Sequence, residues 1–167
     1  MNQDIALSYE GCIKERMAGL KGGDVVVFLI GMRINKPWKI HKWLRTGAAM
    51  PKMLKELYLN PDMGLLHHEM WFGRTTIQVQ YWRSMDQLLE YAQNKNAAHL
   101  PAWAAFNRSI ATDGSVGIWH ETYAISPGGY ESVYVNMPPF GLGKAGLLEP
   151  AVGRRESAKG RLKSNSE

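Results

Sequence analysis

Cysteine is almost absent from this chain, because Cys12 is the only one among 167 residues. A single thiol excludes an intrachain disulfide and a thiolate zinc site. No apolar run approaches the roughly 18 residues that a membrane span needs, and the segment from Met1 to Gly11 has no basic start followed by an apolar stretch. These absences predict a cytoplasmic protein without a membrane partner.

The signatures of several enzyme classes are also missing. The sequence has no Gly-rich phosphate loop after a strand, no His-Glu-x-x-His helix, no Gly-x-Ser-x-Gly elbow and no acidic metal box. Nucleotide hydrolysis and zinc proteolysis are therefore poor expectations. Neighbouring residues of a strand point to opposite faces, so in His67-His68-Glu69 only His67 and Glu69 can converge, which favours a structural pair over a metal site.

The net charge of +5 is the one compositional feature that suggests a nucleic-acid partner. Residues 141–167 carry six Lys or Arg against three Glu, which accounts for +3 of that charge. The rest of the chain is nearly neutral and offers neither a recognition helix nor a basic stripe interleaved with aromatic residues. We expect no nucleic-acid binding and interpret the basic end as a solvated tail, with an RNA-binding arm as the alternative.

Length and a hydrophobic content of 45% are typical of one folded domain. We expect an N-terminal extension over 1–23, the domain over 24–140 and a basic tail over 141–167. The tail contains too many Gly and Pro residues for regular structure, so we expect it to be dispensable for folding.

Hydrophobic periodicity predicts elements in the order β, α, β, β, α, β, β. Pro51 should kink or split the first helix, because its ring removes a helix hydrogen bond. Ser84 is a good N-cap, and Pro101 is tolerable only in the first turn of its helix. The expected ranges are strand 24–33, helix 38–59, a hairpin of 65–72 and 75–82, helical segments after 84 and over 97–110, and strands 116–125 and 130–135.

This order is the split βαβ plan, which predicts an α+β, ferredoxin-like domain whose antiparallel sheet packs helices on one face. The run of apolar residues in strand 24–33 indicates a central strand buried on both faces. In strand 75–82 the apolar Ile77, Val79 and Tyr81 alternate with Gln78 and Gln80, so we expect the former face to be buried and the latter to be polar. A second copy covering the open face would make a homodimer.

The best candidate for a functional side chain is His99. It shares one helical face with Trp103, Phe106 and Ile110 at steps of four, three and four, provided that the helix begins early enough to include His99. Such a histidine either works in an aromatic pocket or is a core residue whose ring bonds a backbone carbonyl. On strand 116–125, His120 ranks second, again with a half-buried structural histidine as the alternative.

Five segments of the chain match the motifs of a known family: Phe28-Leu-Ile-Gly-Met-Arg-Ile-Asn35, Gln80-Tyr-Trp-Arg-Ser84, His99-Leu-Pro-Ala-Trp103, Gly117-Ile-Trp-His-Glu-Thr-Tyr123 and Val135-Asn-Met-Pro-Pro-Phe-Gly-Leu-Gly143. They resemble the bacterial and fungal family named after a fumagillin-pathway monooxygenase, over roughly 24–162. The resemblance implies a dimeric α+β barrel related to antibiotic-biosynthesis monooxygenases, and it names no substrate.

The same barrel is similar to haem-degrading monooxygenases, in which a helical histidine ligates haem after a strand that ends in Trp, a basic residue and Ser. Here Trp82-Arg83-Ser84, Tyr91 and His99 fall in comparable places. Tyr91 replaces the expected Trp, and Met32 stands where that family uses Asn, so ring-opening of haem is not implied. The resemblance leaves two expectations, haem with His99 as iron ligand or no cofactor at all.

We therefore expect an oxidoreductase of the monooxygenase type that acts on a small apolar or aromatic molecule near His99. A non-catalytic haem or small-ligand carrier with the same pocket is the alternative. His99, Tyr91 and His120 are the candidate catalytic residues. The candidate substrate-binding residues are Trp103, Phe106, Arg33, Arg83 and Trp119, the two arginines for a carboxylate or a haem propionate.

Overall fold

The structure, a computed structural model, describes residues 16–20, 24–109 and 113–166. Its strands are β1 (Met17–Leu20), β2 (Val25–Ile34), β3 (Leu65–Trp71), β4 (Ile77–Trp82), β5 (Val116–Ile125), β6 (Val133–Tyr134) and β7 (Leu147–Pro150). Its helices are α1 (Ile40–Gly47), α2 (Ala49–Leu59), α3 (Met85–Gln93), α4 (His99–Ser109), α5 (Leu142–Ala145) and α6 (Ala158–Ser164). Short 3₁₀ turns cover Pro61–Met63 and Gly153–Glu156.

The chain forms two compact units. One comprises Val26–Tyr123 and is called the sheet unit; the other comprises Met1–Val25 with Ala124–Glu167 and is called the terminal unit. Within the described ranges of the chain, none of the helices combines the length and the apolar character needed to cross a membrane.

The sheet unit contains a four-stranded sheet in the order β3-β4-β2-β5. Strand β4 is antiparallel to both β2 and β3, and two helices lie in sequence between β2 and β3 and two more between β4 and β5. This connectivity is the split βαβ plan, so the predicted α+β, ferredoxin-like fold is confirmed. Strand β2 occupies an interior position, as expected, although only Val25, Val26 and Gly31 of it are buried and most of the others are half-buried.

The first helical region divides three residues earlier than predicted. It breaks at Ala48, between α1 and α2, and Pro51 lies in the first turn of α2. A proline is tolerated there because the first N–H groups of a helix have no intrahelical acceptor. The helix is therefore split, which is one of the two expected outcomes, but at Ala48 and not at Pro51.

Two local predictions for the second helical region are confirmed. The Ser84 hydroxyl accepts a hydrogen bond from the Gln87 backbone N–H at 3.2 Å and caps α3. Helix α4 begins at His99, so Pro101 falls in its first turn and His99 belongs to the helix. The predicted partner Ile110 lies outside the described residues.

The two faces of β4 are reversed relative to the prediction. Gln78 and Gln80 are buried, with 2% and 4% of their surface exposed, whereas Ile77, Val79 and Tyr81 are half-buried. The glutamines share their face with Trp82, and this is the face that the helices cover. The alternation along β4 separated its two faces correctly, but the helices cover the face that carries the glutamine side chains.

The packed core lies where α2 and α3 cover one end of the sheet. Val26 of β2, Leu57 of α2 and Trp82 of β4 are each 2% exposed or less and belong to one buried cluster. Burial of large apolar side chains is the main source of stability in such a cluster. Its other buried members are Leu65, Leu88, Tyr91 and Ala97.

The terminal unit contradicts two predictions. The strand predicted over 130–135 forms only over Val133–Tyr134, as β6, and it pairs with β1, which lies inside the segment expected to be an N-terminal extension. Strand β1 also pairs with β7, giving the sheet order β6-β1-β7. The tail is therefore regular in part, because it supplies α5, β7 and α6.

The prediction of a solvated basic end fails at one residue of α6. Arg161 of α6 is only 4% exposed, and its Nε donates to a Glu131 carboxylate oxygen at 2.6 Å. Asn165 donates from Nδ2 to the Tyr130 carbonyl at 3.0 Å. Because a buried guanidinium requires such partners, residues after 153 take part in the packing of the terminal unit, which argues against a dispensable tail.

Candidate functional site

A cavity of about 590 Å³ lies in the sheet unit, beyond the packed core on the helix side of the sheet. Its floor is formed by β2, β3, β4 and β5, and its walls by the junction of α1 with α2 and by α4. Cavities of this size hold small organic molecules. Most of the lining is apolar, including Ile30, Met32, Met50, Met53, Met70, Ala102, Trp103, Phe106 and Ile118.

Three predicted site residues meet in this cavity. His99, Trp103 and Phe106 all line it, since they share one face of α4. The rings of Trp103 and Phe106 are stacked with their centroids 5.6 Å apart. The pattern of an imidazole beside two aromatic rings therefore occurs at a cavity wall and not in a closed core.

The environment of His99 defines the chemistry of its ring. Its Nδ1 lies 3.1 Å from the carbonyl oxygen of Ala92, near the end of α3. A carbonyl only accepts hydrogen bonds, so Nδ1 must carry the proton, and in the neutral ring Nε2 carries the lone pair. The ring is thereby held with one nitrogen suited to accept a proton or to ligate a metal.

Tyr91 packs against the ring of His99 and does not line the cavity. The two ring centroids are 6.3 Å apart, and the Tyr91 hydroxyl donates to the Glu56 carboxylate at 3.0 Å. Burial, with the adjacent Glu56 carboxylate, raises the pKa of Tyr91 above its ordinary value. The same Glu56 oxygen accepts from the backbone N–H of Ala98 at 2.9 Å, just before α4, so Glu56 fixes both the phenol and the start of the helix that carries His99.

The other predicted site residues lie elsewhere in the sheet unit. His120 is exposed and contacts the ring of Phe28, with centroids 5.6 Å apart. Arg33 is exposed and donates to the Thr75 hydroxyl at 2.7 Å. Trp119 packs over Gly31, where a Cβ would come within 2.7 Å of the indole nitrogen, and Arg83 is exposed after β4. None of these four lines the cavity.

The cavity contains polar residues that the sequence analysis missed. Arg45, at the end of α1, and Lys52, in the first turn of α2, are exposed cations that line it, and Gln78 lines it from β4. Hydrophobic periodicity predicted a helix over 38–59 and gave no indication of the cavity at the break between α1 and α2. Gln78 and Trp82 are four residues apart on β4, so their side chains point to the same face of the sheet. The size of Trp82 was the signal that could have indicated the burial of Gln78.

Helix α1 is tied to the loop before β5 by ion pairs. The Asp113 carboxylate accepts from the ammonium groups of Lys39, at 3.1 Å, and Lys42. Lys42 chiefly, with the side chain and backbone N–H of Ser115, holds the pKa of Asp113 well below its ordinary value. Because Arg45 to Gly47 at the end of α1 line the cavity, this tether positions one of its walls.

The residues that resembled a metal cluster form a structural pair. His67 Nε2 lies 2.8 Å from a Glu69 carboxylate oxygen, as the alternation along β3 predicted. In the part of the chain that the structure describes, no three His, Cys, Asp or Glu side chains are grouped to hold a metal ion. Cys12 lies outside the described residues.

The sheet unit is thus a ferredoxin-like α+β domain with an apolar cavity beside a histidine. Residues 25–142 match the family described as Monooxygenase af470-like. This match covers most of the chain, which therefore belongs to that family. The family resemblance stated from the sequence motifs is confirmed.

Two individual proteins are similar to the chain. Monooxygenase af470 from Aspergillus fumigatus is 30% identical over 131 residues, which are 73% of this chain. The chain spans about half of that relative, since the aligned part is 46% of its length. Among solved structures, SnoaB, a cofactor-independent oxygenase from Streptomyces nogalater, is 13% identical with a TM-score of 0.43, over 60% of this chain and 91% of SnoaB.

Proposed function

We propose that the sheet unit is a monooxygenase that acts on a small apolar or aromatic molecule in the cavity beside His99. The single observation that carries this proposal is the position of His99, held through Nδ1 in a largely apolar cavity so that Nε2 is the basic nitrogen. Membership of the Monooxygenase af470-like family supports the class of reaction. The reaction that His99 can support limits the substrates to those that can lose a proton and then reduce O₂.

A site of this kind can use O₂ without a cofactor if the substrate supplies the electrons. His99 Nε2 removes a proton from an acidic CH₂ group beside a carbonyl, and the carbanion reduces O₂. One oxygen atom enters the substrate and the other leaves as water, so that CH₂ and O₂ become C=O and H₂O.

Oxygen consumption tests the proposal. Aromatic ketones with an acidic CH₂ group, such as 2-indanone, should be oxidised without an added reductant. His99→Gln should lower turnover by about a hundredfold or more, as expected for loss of a general base. His41→Gln, an exposed histidine of α1, is the matched control. Equal turnover of His99→Gln and the wild type, or no uptake with any such ketone, would contradict the proposal.

A haem carrier or haem-dependent oxygenase is the second candidate. The neutral Nε2 of His99 is a suitable iron ligand, apolar walls suit a porphyrin, and Arg45 and Lys52 could pair with its propionates. Bound haem would supply the activation of O₂. Titration with haemin should then give a Soret band that His99→Ala abolishes, whereas a featureless titration would eliminate this candidate.

We also propose that the chain forms a homodimer. The sheet face opposite the helices carries Val27 and Leu29 of β2 beside Val79 and Tyr81 of β4, all partly exposed. Apolar side chains on a sheet face are stabilised when a second layer covers them. Light scattering should give twice the chain mass at micromolar concentration, and a monomer mass would contradict the dimer.

A further inference from the structure

Three buried side chains of β4 form a line of hydrogen bonds that ends at the cavity. Trp82 Nε1 donates to Gln80 Oε1 at 2.9 Å, and Gln80 Nε2 donates to Gln78 Oε1 at 2.7 Å. An indole N–H can only donate, so it fixes the oxygen of Gln80 toward Trp82 and the amide nitrogen toward Gln78. The oxygen of Gln78 is fixed in turn, and its NH₂ group is left at the end of the line.

That terminal NH₂ group is a buried donor. Gln78 is 2% exposed, and its Nε2 has no hydrogen-bond partner among the described residues. A buried donor without an acceptor destabilises a fold by about 1–3 kcal/mol, which is why such groups are rare. Gln78 lines the same cavity as His99, so a ligand in that cavity can supply the missing acceptor.

We infer that Gln78 is a substrate-binding residue that recognises a carbonyl oxygen, or the enolate oxygen formed from it. This inference rests on the proposed function and adds to it the residue that binds the carbonyl oxygen of the substrate. The line of bonds makes Gln78 a donor and not an acceptor, so it favours a ketone over an amine. As the adjacent CH₂ loses its proton, charge develops on this oxygen, and a hydrogen bond to an oxyanion is stronger than one to a neutral carbonyl.

The charges around the cavity agree with an anionic intermediate. The lining contains Arg45 and Lys52, and none of the described residues that form it is Asp or Glu. A carboxylate near the enolate would oppose its formation, whereas cations at the cavity wall stabilise it. The donor at Gln78 and the base at His99 therefore serve the same step from β4 and α4.

A pair of unreactive ligands tests this assignment without requiring turnover. Fluorenone and fluorene are flat tricyclic molecules of similar size, and only fluorenone has a carbonyl. Equilibrium dialysis should show that the wild type binds fluorenone about tenfold more tightly, as one hydrogen bond to a buried donor predicts. Gln78→Met should bind both ligands with similar affinity, because it keeps the volume and removes the donor.

Gln87→Met makes the same replacement outside the cavity, where the amide already donates to the Asp62 carbonyl at 2.8 Å, and should retain the tenfold preference. Equal affinity of the wild type for the two ligands, or a preference that persists in Gln78→Met, would overturn the role of Gln78 and leave the cavity proposal intact. If neither fluorenone nor fluorene binds, the role of Gln78 and the proposal that the cavity is the substrate site are both overturned. If Gln78→Met does not fold, equal affinity of the wild type for the two ligands still overturns the role of Gln78.

Discussion

The helix side of the four-stranded sheet is packed at one end and hollow at the other. At the packed end α2 and α3 cover Val26 and Trp82, and the side chains form a closed cluster. At the hollow end the same strands contribute Ile30 and Gln78, but the junction of α1 with α2 and the face of α4 line a cavity of about 590 Å³. One sheet face thus combines a packed core with a cavity.

The line of bonds on β4 connects these two ends. It begins at Trp82 in the packed core and ends at Gln78 in the cavity. The dense packing at one end holds the indole, and the indole sets the orientation of both amides. The core therefore has a role beyond stability, because it determines which polar atom of Gln78 remains without a partner at the cavity.

The largest expected effect comes from the packed end of α2. Leu57, at 2% exposure, belongs to the core, whereas Met53, one turn earlier on the same face, lines the cavity. Leu57→Ala should lower the free energy of unfolding by about 2–5 kcal/mol, as for other buried leucines. Met53→Ala should cost about 1 kcal/mol or less, because it enlarges an existing cavity. Urea denaturation of both variants measures their free energies of unfolding. Equal losses in Leu57→Ala and Met53→Ala would contradict the distinction between the packed end and the hollow end.

A smaller effect is expected where the two ends meet, at Glu56. Its carboxylate accepts from Tyr91 and from the Ala98 backbone, so Glu56→Ala leaves two partly buried donors without an acceptor. We expect a loss of about 2 kcal/mol in the free energy of unfolding. Tyr91→Phe, which leaves the bond to Ala98 in place, should cost about 1 kcal/mol.

Thermal or urea denaturation of the Glu56 and Tyr91 variants gives both values. The loss for Glu56→Ala should be about twice the loss for Tyr91→Phe, because Glu56 accepts two hydrogen bonds and Tyr91 donates one of them. Glu56→Ala should also disturb the start of α4 and weaken ligand binding beside His99. A Glu56→Ala variant with wild-type stability and wild-type fluorenone affinity would show that the carboxylate does not position this helix.

The smallest expected effect concerns Asp113, whose ion pairs with Lys39 and Lys42 hold α1 at the hollow end. The folded-state pKa of Asp113 lies well below the ordinary value of 3.8, chiefly because of Lys42. As the pH falls, the unfolded chain therefore takes up the proton first, and the stability due to this carboxylate is lost below about pH 4. Asp113→Asn should be slightly less stable than the wild type near pH 7.

The difference between Asp113→Asn and the wild type should be constant above about pH 5 and should shrink as the pH falls below about 4. Because the pairs are partly exposed, molar salt should also reduce it. Melting curves over this pH range measure the difference. A gap that widens in acid would show that another group accounts for the stability of α1.

The fold was predictable because its signals are local. The period of two in β4, the cap at Ser84 and the position of Pro101 each depend on neighbouring residues, and the structure contains all three. The assignment of the covered face failed, because alternation along β4 separates two faces without showing which one meets the helices. Trp82 has the same parity as Gln78, and its size would have favoured burial of that face.

The site was predictable only along one helix. His99, Trp103 and Phe106 share a face of α4, so their spacing brought them together, whereas Arg45, Lys52 and Gln78 reach the cavity from other elements. The pairing of β1 with β6 and β7 joins segments more than a hundred residues apart, and periodicity contains no information on such pairing. That is why the regular structure of the chain end was missed.

The oxygen balance of the reaction shows whether the hollow end is a monooxygenase site. With 2-indanone as substrate, an oxygen electrode should record one O₂ consumed per ketone oxidised, and catalase should release no oxygen because the second atom leaves as water. Uptake should fall by about a hundredfold or more in His99→Gln. Release of oxygen by catalase would indicate an oxidase that forms peroxide, and uptake that persists in His99→Gln would place the reaction outside this cavity; either result contradicts the account.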